Sequence, residues 1–192
     1  MVLRKSELND QNKQSMGHLY FVRHGETVWN KENKICGATD SPLTELGIKQ
    51  AEETALIIKE QALSADAIIC SPLSRARDTA RIISDITGIP MREEPRLTEQ
   101  NFGYYEGTPR DGEEFHQMKK HMALRLGGES TLQLAQRIYN LLDEITADSQ
   151  HVYILVAHNG IARCVHSYFY DMSNEDYAGF RLRNCEVKEY VF

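Results

Sequence analysis

Three short runs of consecutive apolar residues recur along the chain. They lie at 18–22 (HLYFV), 66–70 (DAIIC) and 152–157 (VYILVA). Continuous rather than alternating apolar runs are typical of strands that are covered on both faces in a parallel sheet. The segments between them have helical periodicity. We therefore expect an α/β fold with a mostly parallel central sheet and helices on both faces.

Two of the intervening segments carry apolar residues at spacings of three and four, so each can present one apolar stripe to a sheet. The first stripe consists of Ile48, Ala51, Ala55, Ile58 and Ala62, and the second of Leu134, Ile138, Leu141 and Ile145. A further helix is predicted over 72–87, with Ser71 as N-cap, Pro72 at the first helical position and Gly88 just past the end.

Cationic or potentially cationic residues follow the ends of the predicted strands. Arg23 and His24 come after the first strand, and Arg75 lies in the first turn of the helix after the second. His158 ends the third strand, and a helix is predicted to begin near Gly160. Ligands of open α/β sheets bind beyond the carboxyl ends of the strands. Such groups, gathered where helix N-termini also point, suit a dianion such as a phosphoryl group.

The remaining segments indicate one domain with a loose start. Residues 1–16 are polar and lack the apolar core of a signal peptide, so we predict a flexible N-terminal extension before a single domain at 17–192. The glycine-rich and charged stretch 103–128 is predicted to be an insertion over the rim of the active site, with a short helix around 113–124. The last residues, 185–192, suit an edge strand whose direction the sequence leaves open.

Composition narrows the range of partners. The formal net charge of −6 argues against general nucleic-acid binding, although a local positive pocket can still hold a small anionic substrate. No apolar run is long enough to cross a bilayer. The four cysteines are scattered without a Cys-x-x-Cys pair, which indicates reduced thiols and a cytoplasmic location. We expect a small phosphorylated substrate, with no nucleic-acid or membrane partner; the sequence does not indicate the oligomeric state.

Five motifs follow one another in a characteristic order. They are RHGETVWN at 23–30, SPLSRARDTA at 71–80, RLTEQNFGYYEG at 96–107, GGES at 127–130 and VAHNG at 156–160. Together they resemble the histidine phosphatase superfamily, which includes the cofactor-dependent phosphoglycerate mutases. The resemblance extends from about residue 18 almost to the C-terminus, and it implies a phosphoglycerate mutase-like fold.

The resemblance also implies roles for individual residues. In that family the histidine of the Arg-His-Gly motif is the nucleophile that becomes phosphorylated, which implies His24 here. The other implied residues contact the phosphoryl group or supply a proton: Arg23, Arg75 and His158 as a catalytic clamp that also binds substrate, Asn30 and Gly37 as further substrate contacts, and Glu99 as the proton donor.

Elementary chemistry agrees with these roles. A neutral imidazole can attack phosphorus if a hydrogen bond to its other nitrogen fixes the tautomer, for which the family uses a backbone carbonyl near Gly25. Planar arginine forks suit the charge that spreads over the equatorial oxygens during transfer. The leaving alkoxide needs a carboxyl donor. The family's Leu-x-Glu pattern favours Glu99, but local physics alone does not separate Glu99 from Glu106. We assign Glu129 a structural role, next to Ser130 as an N-cap.

Two other chemistries fit less well. The string CSPLSR resembles the Cys-x5-Arg loop of cysteine phosphatases, but only four residues separate Cys70 from Arg75, and the phosphate-binding glycines are missing. The seven histidines show no paired metal-ligand spacing. We therefore predict no metal and no other cofactor.

Hydrolases and mutases both occur in the superfamily. The mutases have a longer insertion with two adjacent arginines that grip a carboxylate, whereas 108–126 here is short, has isolated Arg110 and Arg125, and offers only Lys119-Lys120 as an adjacent basic pair. We therefore predict a phosphomonoester hydrolase that acts through a phosphohistidine on a small metabolite, with a phosphoglycerate mutase as the alternative. A non-catalytic phosphate-binding module is less favoured because the nucleophile and the acid are both present.

Overall fold

A five-stranded sheet organises the computed structural model, which describes residues 16–118, 121–125 and 127–192. In chain order the strands are β1 (His18–Arg23), β2 (Ala67–Cys70), β3 (Met91–Glu93), β4 (Tyr153–Ala157) and β5 (Val187–Val191). Their order across the sheet is β3-β2-β4-β1-β5. The first four are mutually parallel and β5 runs antiparallel to β1, so the predicted mostly parallel α/β sheet is confirmed.

Helices cover both faces of the sheet, as predicted. They are α1 (Val28–Lys31), α2 (Glu45–Glu60), α3 (Ser74–Thr87), α4 (Glu113–Met118), α5 (Thr131–Thr146), α6 (Asn159–Phe169) and α7 (Asn174–Gly179). Residues of α2 and α3 pack with Val22, Ile68 and Ile154 on one face. Residues of α5 and α6 pack with Leu19, Phe21 and Leu155 on the other. Burial on both sides explains why the central strands are apolar without alternation.

The register of the parallel strands brings their carboxyl ends together. Arg23 of β1 lies opposite Ala157 of β4, and Cys70 of β2 lies opposite Val156 of β4. The loops that carry the residues after each strand therefore meet at one edge of the sheet. This edge holds the candidate site.

The helix after β2 begins later than predicted. Helix α3 starts at Ser74 with Leu73 in the N-cap position and no side-chain cap, so the assignment of Ser71 as N-cap and Pro72 as first helical residue is wrong. The Ser71 hydroxyl instead lies 2.8 Å from Nε2 of His158. The C-terminal signal is confirmed, because Gly88 follows the helix with a left-handed φ of 80°.

The two predicted apolar stripes differ in accuracy. All four residues of the second stripe are buried in α5. In the first, Ala51, Ala55 and Ile58 are buried, but Ile48 is 41% exposed and Ala62 lies past the end of α2 with a φ of 49°. Gly47 and Thr54 complete the buried face of α2 instead.

The other expectations concern the rim, the termini and the cysteines. The predicted rim helix is present as α4 but is shorter than 113–124, and the predicted edge strand is β5. The N-terminal extension, apart from Met16, lies outside the described residues. All four cysteines are free thiols. Within the described ranges, no helix is long and apolar enough to span a membrane.

Candidate active site

A cavity of about 330 Å³ opens at the carboxyl edge of the sheet. Four of the predicted site residues line it: Arg23, His24, Asn30 and Glu99. Arg75, His158 and Gly37 are buried next to these residues but are not among the described residues that line the cavity. The structure therefore gathers all the predicted site residues in one region and exposes part of the set to a ligand.

His24 follows β1 and is held rigidly by backbone groups. Its backbone N–H donates to the Ala157 carbonyl, and its Nδ1 lies 2.7 Å from the Gly25 carbonyl oxygen. Because a carbonyl can only accept, Nδ1 carries the proton and the lone pair is on Nε2. Gly25 is required here, since a Cβ at this position would collide with the backbone of Gly47. The predicted backbone device is thus in place.

Burial and neighbouring cations keep both site histidines neutral. Burial lowers the pKa of His24 well below its usual value, and the charges of Arg75 and Arg23 lower it further. The pKa of His158 is lowered in the same way by burial, Arg75 and His24. A neutral imidazole with a free lone pair is the form that can act as a nucleophile.

Arg75 links the two histidines to the loop after α1. It projects from the first turn of α3, is fully buried, and donates from Nε to Nδ1 of His158 at 3.2 Å. Its Nη2 donates to the Gly37 carbonyl at 2.6 Å and its Nη1 to the Thr39 carbonyl at 3.0 Å. The His158 ring lies 5.2 Å from the His24 ring, centroid to centroid. Arg75 therefore places a fixed positive charge beside both rings.

Arg23 and Asn30 line the cavity and have hydrogen-bond donors available for a ligand. Nη1 of Arg23 donates to the Leu182 carbonyl at 2.7 Å, while its buried Nε has no hydrogen-bond partner among the described residues. Oδ1 of Asn30 accepts from the Thr27 backbone N–H and from Nδ2 of Asn184, which leaves the amide nitrogen of Asn30 as a donor. These groups can therefore donate hydrogen bonds to an anion in the cavity.

The structure separates the two candidate acids. Glu99 is 5% exposed and lines the cavity, and its carboxyl oxygens accept from the N–H groups of Gln100 and Gly160, each at 2.9 Å. The oxygens of Glu106 accept from four backbone N–H groups, those of Gly37, Ala38, Thr39 and Phe102. Glu106 therefore stabilises the loop after α1 through hydrogen bonds to its backbone. Glu99 is the carboxyl that lines the cavity.

Gly37 and Glu129 make contacts that support the structure around the site. Gly37 is buried between Glu106 and Arg75, and a Cβ there would collide with Glu106 and with the Gln100 carbonyl. Glu129 pairs with Arg137 through two contacts of 2.7 and 2.8 Å. Ser130 caps α5, so the structural assignments around Glu129 are confirmed.

Sequence reasoning missed several residues that come from the segment before β5 and from α6. Nδ2 of Asn184 donates to the His24 carbonyl at 2.9 Å, and Arg163 and Arg181 line the cavity together with Arg110. Of the two isolated arginines that the sequence offers in 108–126, Arg110 lines the cavity, whereas Arg163 and Arg181 lie outside that segment. Arg125 is not among the described lining residues, and Lys119-Lys120 lies outside the described residues.

A metal site does not emerge from the described side chains. Within residues 16–118, 121–125 and 127–192, no group of three or more His, Cys, Asp or Glu side chains is arranged to hold a metal ion. The positive charge around His24 comes from arginine side chains.

Comparison with known proteins places the chain in a family. The model of the histidine phosphatase superfamily (branch 1) matches residues 19–192. A probable phosphoglycerate mutase, GpmB, of Yersinia pestis (strain Pestoides F) is 38% identical over 90% of this chain and 83% of its own length. A mycobacterial glucosyl-3-phosphoglycerate phosphatase, solved in complex with VO3, superposes with a TM-score of 0.79 at 25% identity, over 90% of each chain. A putative α-ribazole-5′-phosphate phosphatase of Escherichia coli K-12 gives 0.77 at 25% identity, over 90% of this chain and 89% of the other. The chain therefore belongs to the histidine phosphatase superfamily.

Proposed function

We propose that the protein is a metal-independent phosphomonoester hydrolase that acts through a phosphohistidine at His24 on a small phosphorylated metabolite. One observation carries the proposal: the Gly25 carbonyl holds Nδ1 of a buried, neutral His24, which leaves the lone pair on Nε2 beside a cavity lined by Arg23 and Glu99. This is the arrangement that an activated nitrogen nucleophile requires.

The first half of the reaction forms a bond from Nε2 of His24 to phosphorus while the bond from phosphorus to the ester oxygen breaks. Arg23 and Asn30 bind the phosphoryl oxygens, and the buried charge of Arg75 stabilises the transition state electrostatically. His158 accepts from Nε of Arg75 at Nδ1 and contacts the Ser71 hydroxyl at Nε2, so it holds the charge of Arg75 in place next to His24. Glu99 gives a proton to the leaving oxygen.

The second half returns the enzyme to its starting form. Glu99, now ionised, takes a proton from a water molecule, whose oxygen attacks phosphorus and displaces Nε2 of His24. Inorganic phosphate leaves, and the proton is back on Glu99. The phosphatases among the structural neighbours support hydrolysis as the overall reaction.

The test is a covalent label. We expect a rapid quench with ³²P-labelled substrate in excess EDTA to leave phosphate on His24 as a phosphoramidate, stable in mild base and labile in acid. His24→Ala should not be labelled. His151→Ala is the matched control, because His151 is an exposed histidine paired with Asp148 on the surface. Label on a serine, an aspartate or another histidine, or none in EDTA, would contradict the proposal.

A phosphoglycerate mutase is the second candidate, and one structural observation favours it. Such an enzyme must hold a bisphosphorylated intermediate, which calls for cations outside the phosphate clamp. Arg110, Arg163 and Arg181 provide them in the same cavity. The relative from Yersinia pestis is also described as a probable phosphoglycerate mutase.

A further inference from the structure

The cavity wall carries more cationic than acidic side chains. The cationic ones are Arg23, Arg110, Arg163 and Arg181, and the acidic ones are Glu99 and Asp111. None of these arginines forms an ion pair with an acidic residue in the described part of the chain. Like charges that converge without partners repel one another, and a bound anion would relieve that repulsion.

Backbone carbonyls, which are uncharged, hold three of these arginines in place. Arg23 donates to Leu182, Arg163 donates from Nε to Phe180 at 3.1 Å, and Arg110 donates from Nη2 to Lys34 at 2.9 Å. These bonds orient the guanidinium groups without neutralising them. Each guanidinium has five N–H donors, so donors remain for a ligand.

The arginines are close enough to affect one another. Burial, with the charge of Arg110, lowers the pKa of Arg23 to about 10. Burial lowers the pKa of Arg110, and so do the charges of Arg181 and Arg163. Burial also lowers the pKa of Arg163. Arg110, Arg163 and Arg181 thus form one positive region of the cavity wall, which adjoins Arg23 of the phosphate clamp.

The same cavity has an apolar wall. Ile35, Phe102 and Phe115 line it and pack as one cluster, with the two phenylalanine rings edge to face at 5.4 Å between centroids. A volume of about 330 Å³ is within the range of small-molecule pockets. The site thus offers an apolar surface and a second positive region in addition to the groups around His24.

We propose that Arg110, Arg163 and Arg181 form a second anion-binding subsite, which selects phosphomonoesters whose apolar body carries a further carboxylate or phosphate group. Guanidinium forks match both kinds of anion. The inference depends on the proposed hydrolase function only in placing the scissile phosphoryl group at His24. The arginines come from the rim, from α6 and from the segment before β5, so the subsite does not rely on one contiguous motif.

Binding of phosphonates tests the subsite without any turnover, because their C–P bond is not cleaved. We expect 4-carboxyphenylphosphonate and 1,4-phenylenebisphosphonate to bind the wild-type protein at least about tenfold more tightly than the neutral 4-carbamoylphenylphosphonate in calorimetry. Whichever of these two phosphonates binds more tightly identifies the second anionic group that the subsite prefers. Arg110→Gln and Arg181→Gln should each reduce that preference about tenfold.

Arg183→Gln is the matched control, because the Arg183 side chain is 90% exposed and pairs with Glu186. This variant should keep the wild-type preference. Equal binding of the charged and neutral phosphonates, or a preference that Arg110→Gln and Arg181→Gln leave intact, would overturn the subsite. In parallel, kcat/KM is compared for 4-carboxyphenyl and 4-carbamoylphenyl phosphate. Phosphate release from neither ester nor any member of a panel of phosphorylated metabolites would refute the hydrolase and leave the binding result to decide the subsite.

Discussion

At the residue scale, identical side chains acquire different roles from the backbone that surrounds them. Glu99 and Glu106 are seven positions apart in one motif; the family's Leu-x-Glu pattern favours Glu99, but local physics along the chain does not separate them. The difference depends on the N–H groups of Gly37, Ala38 and Thr39, which belong to a distant loop that folds against Glu106. Hydrogen-bond partners of this kind are tertiary, so physical reasoning on the sequence supplies two candidates, and the prediction of Glu99 depends on the family resemblance.

Exchange of each carboxyl for an amide should therefore have different effects. Glu99→Gln should slow alkyl phosphates far more than p-nitrophenyl phosphate, whose leaving group needs little protonation. Glu106→Gln points an N–H₂ group at backbone donors and should cost about 1–3 kcal/mol of stability, or several degrees in Tm. Rate ratios for the two ester classes and thermal melts of both variants are the measurements. If the two variants exchanged these effects, the assignment of the acid would be wrong.

The buried histidines should make stability depend on pH. Because the pKa values of folded His24 and His158 lie well below 6.5, the unfolded chain binds protons in the pH range just below about 6.5, whereas the folded chain binds them only at lower pH. The free energy of unfolding should fall as the pH is lowered through this range, by up to about 1.4 kcal/mol per pH unit for each group. His166, whose pKa burial also lowers, adds to the slope.

Urea denaturation at pH 5.5 and 7.0 measures this slope. His24→Gln should reduce it by about 1 kcal/mol per pH unit. His151→Gln is the control of opposite sign, because pairing with Asp148 raises the pKa of His151 and its loss should not flatten the slope. The pKa of Asp40 is also lowered in the folded protein. Its contribution to the free energy of unfolding is lost only below the pH range of these measurements, so it does not affect the slope. An unchanged slope in His24→Gln would show that His24 has the same pKa in the folded protein as in the unfolded chain, which contradicts a buried, neutral nucleophile.

At the element scale, the sequence correctly predicted the strands whose residues are buried on both faces. It misplaced a helix start that depends on a hydrogen bond to a distant residue. The apolar strands β1, β2 and β4 were found because both of their faces are covered. The short strand β3 was missed, since two of its three residues are exposed Arg92 and Glu93. The start of α3 was misplaced because the Ser71 hydroxyl pairs with His158 from another strand-to-helix junction.

The start of α6 controls Glu99, which can be tested with glycine substitutions. Alanine at Gly160 has a higher helix propensity, but its Cβ would collide with the Glu99 carboxyl. Because that carboxyl is the end of a flexible side chain, we expect Gly160→Ala to fold and to displace Glu99. Its kcat should fall at least about tenfold on alkyl phosphates and much less on p-nitrophenyl phosphate.

Gly179→Ala in α7 is the matched helical control, because a Cβ there meets nothing within 4 Å. This variant should keep the wild-type ratio of rates on the two ester classes. A wild-type ratio in Gly160→Ala as well would show that the position of Glu99 is not critical.

At the scale of the whole molecule, the C-terminal part of the chain completes a site that begins near its N-terminus. The carbonyls of Phe180 and Leu182 hold Arg163 and Arg23, and Asn184 binds the carbonyl of His24. The motifs around His24, Arg75 and His158 could be found in the sequence because each is contiguous. The arginine cluster could not, since it assembles from three segments that only the fold brings together.

The reaction as a whole should release phosphate to water. A mutase must keep water away from the phosphohistidine while its intermediate turns round. The described part of 103–128 forms a short 3₁₀ helix at Gly103–Tyr105 and the short helix α4. Phe115 of α4 packs against Phe102 as part of the wall, so the described residues provide little chain to cover His24. Given 3-phosphoglycerate and a catalytic amount of 2,3-bisphosphoglycerate, the protein should form little 2-phosphoglycerate, which an enolase-coupled assay measures.

The rate of this interconversion is compared with the rate of phosphate release from the best substrate in a panel of phosphorylated metabolites. Interconversion of the phosphoglycerates much faster than that phosphate release would identify a mutase and assign the arginine cluster to its bisphosphorylated intermediate.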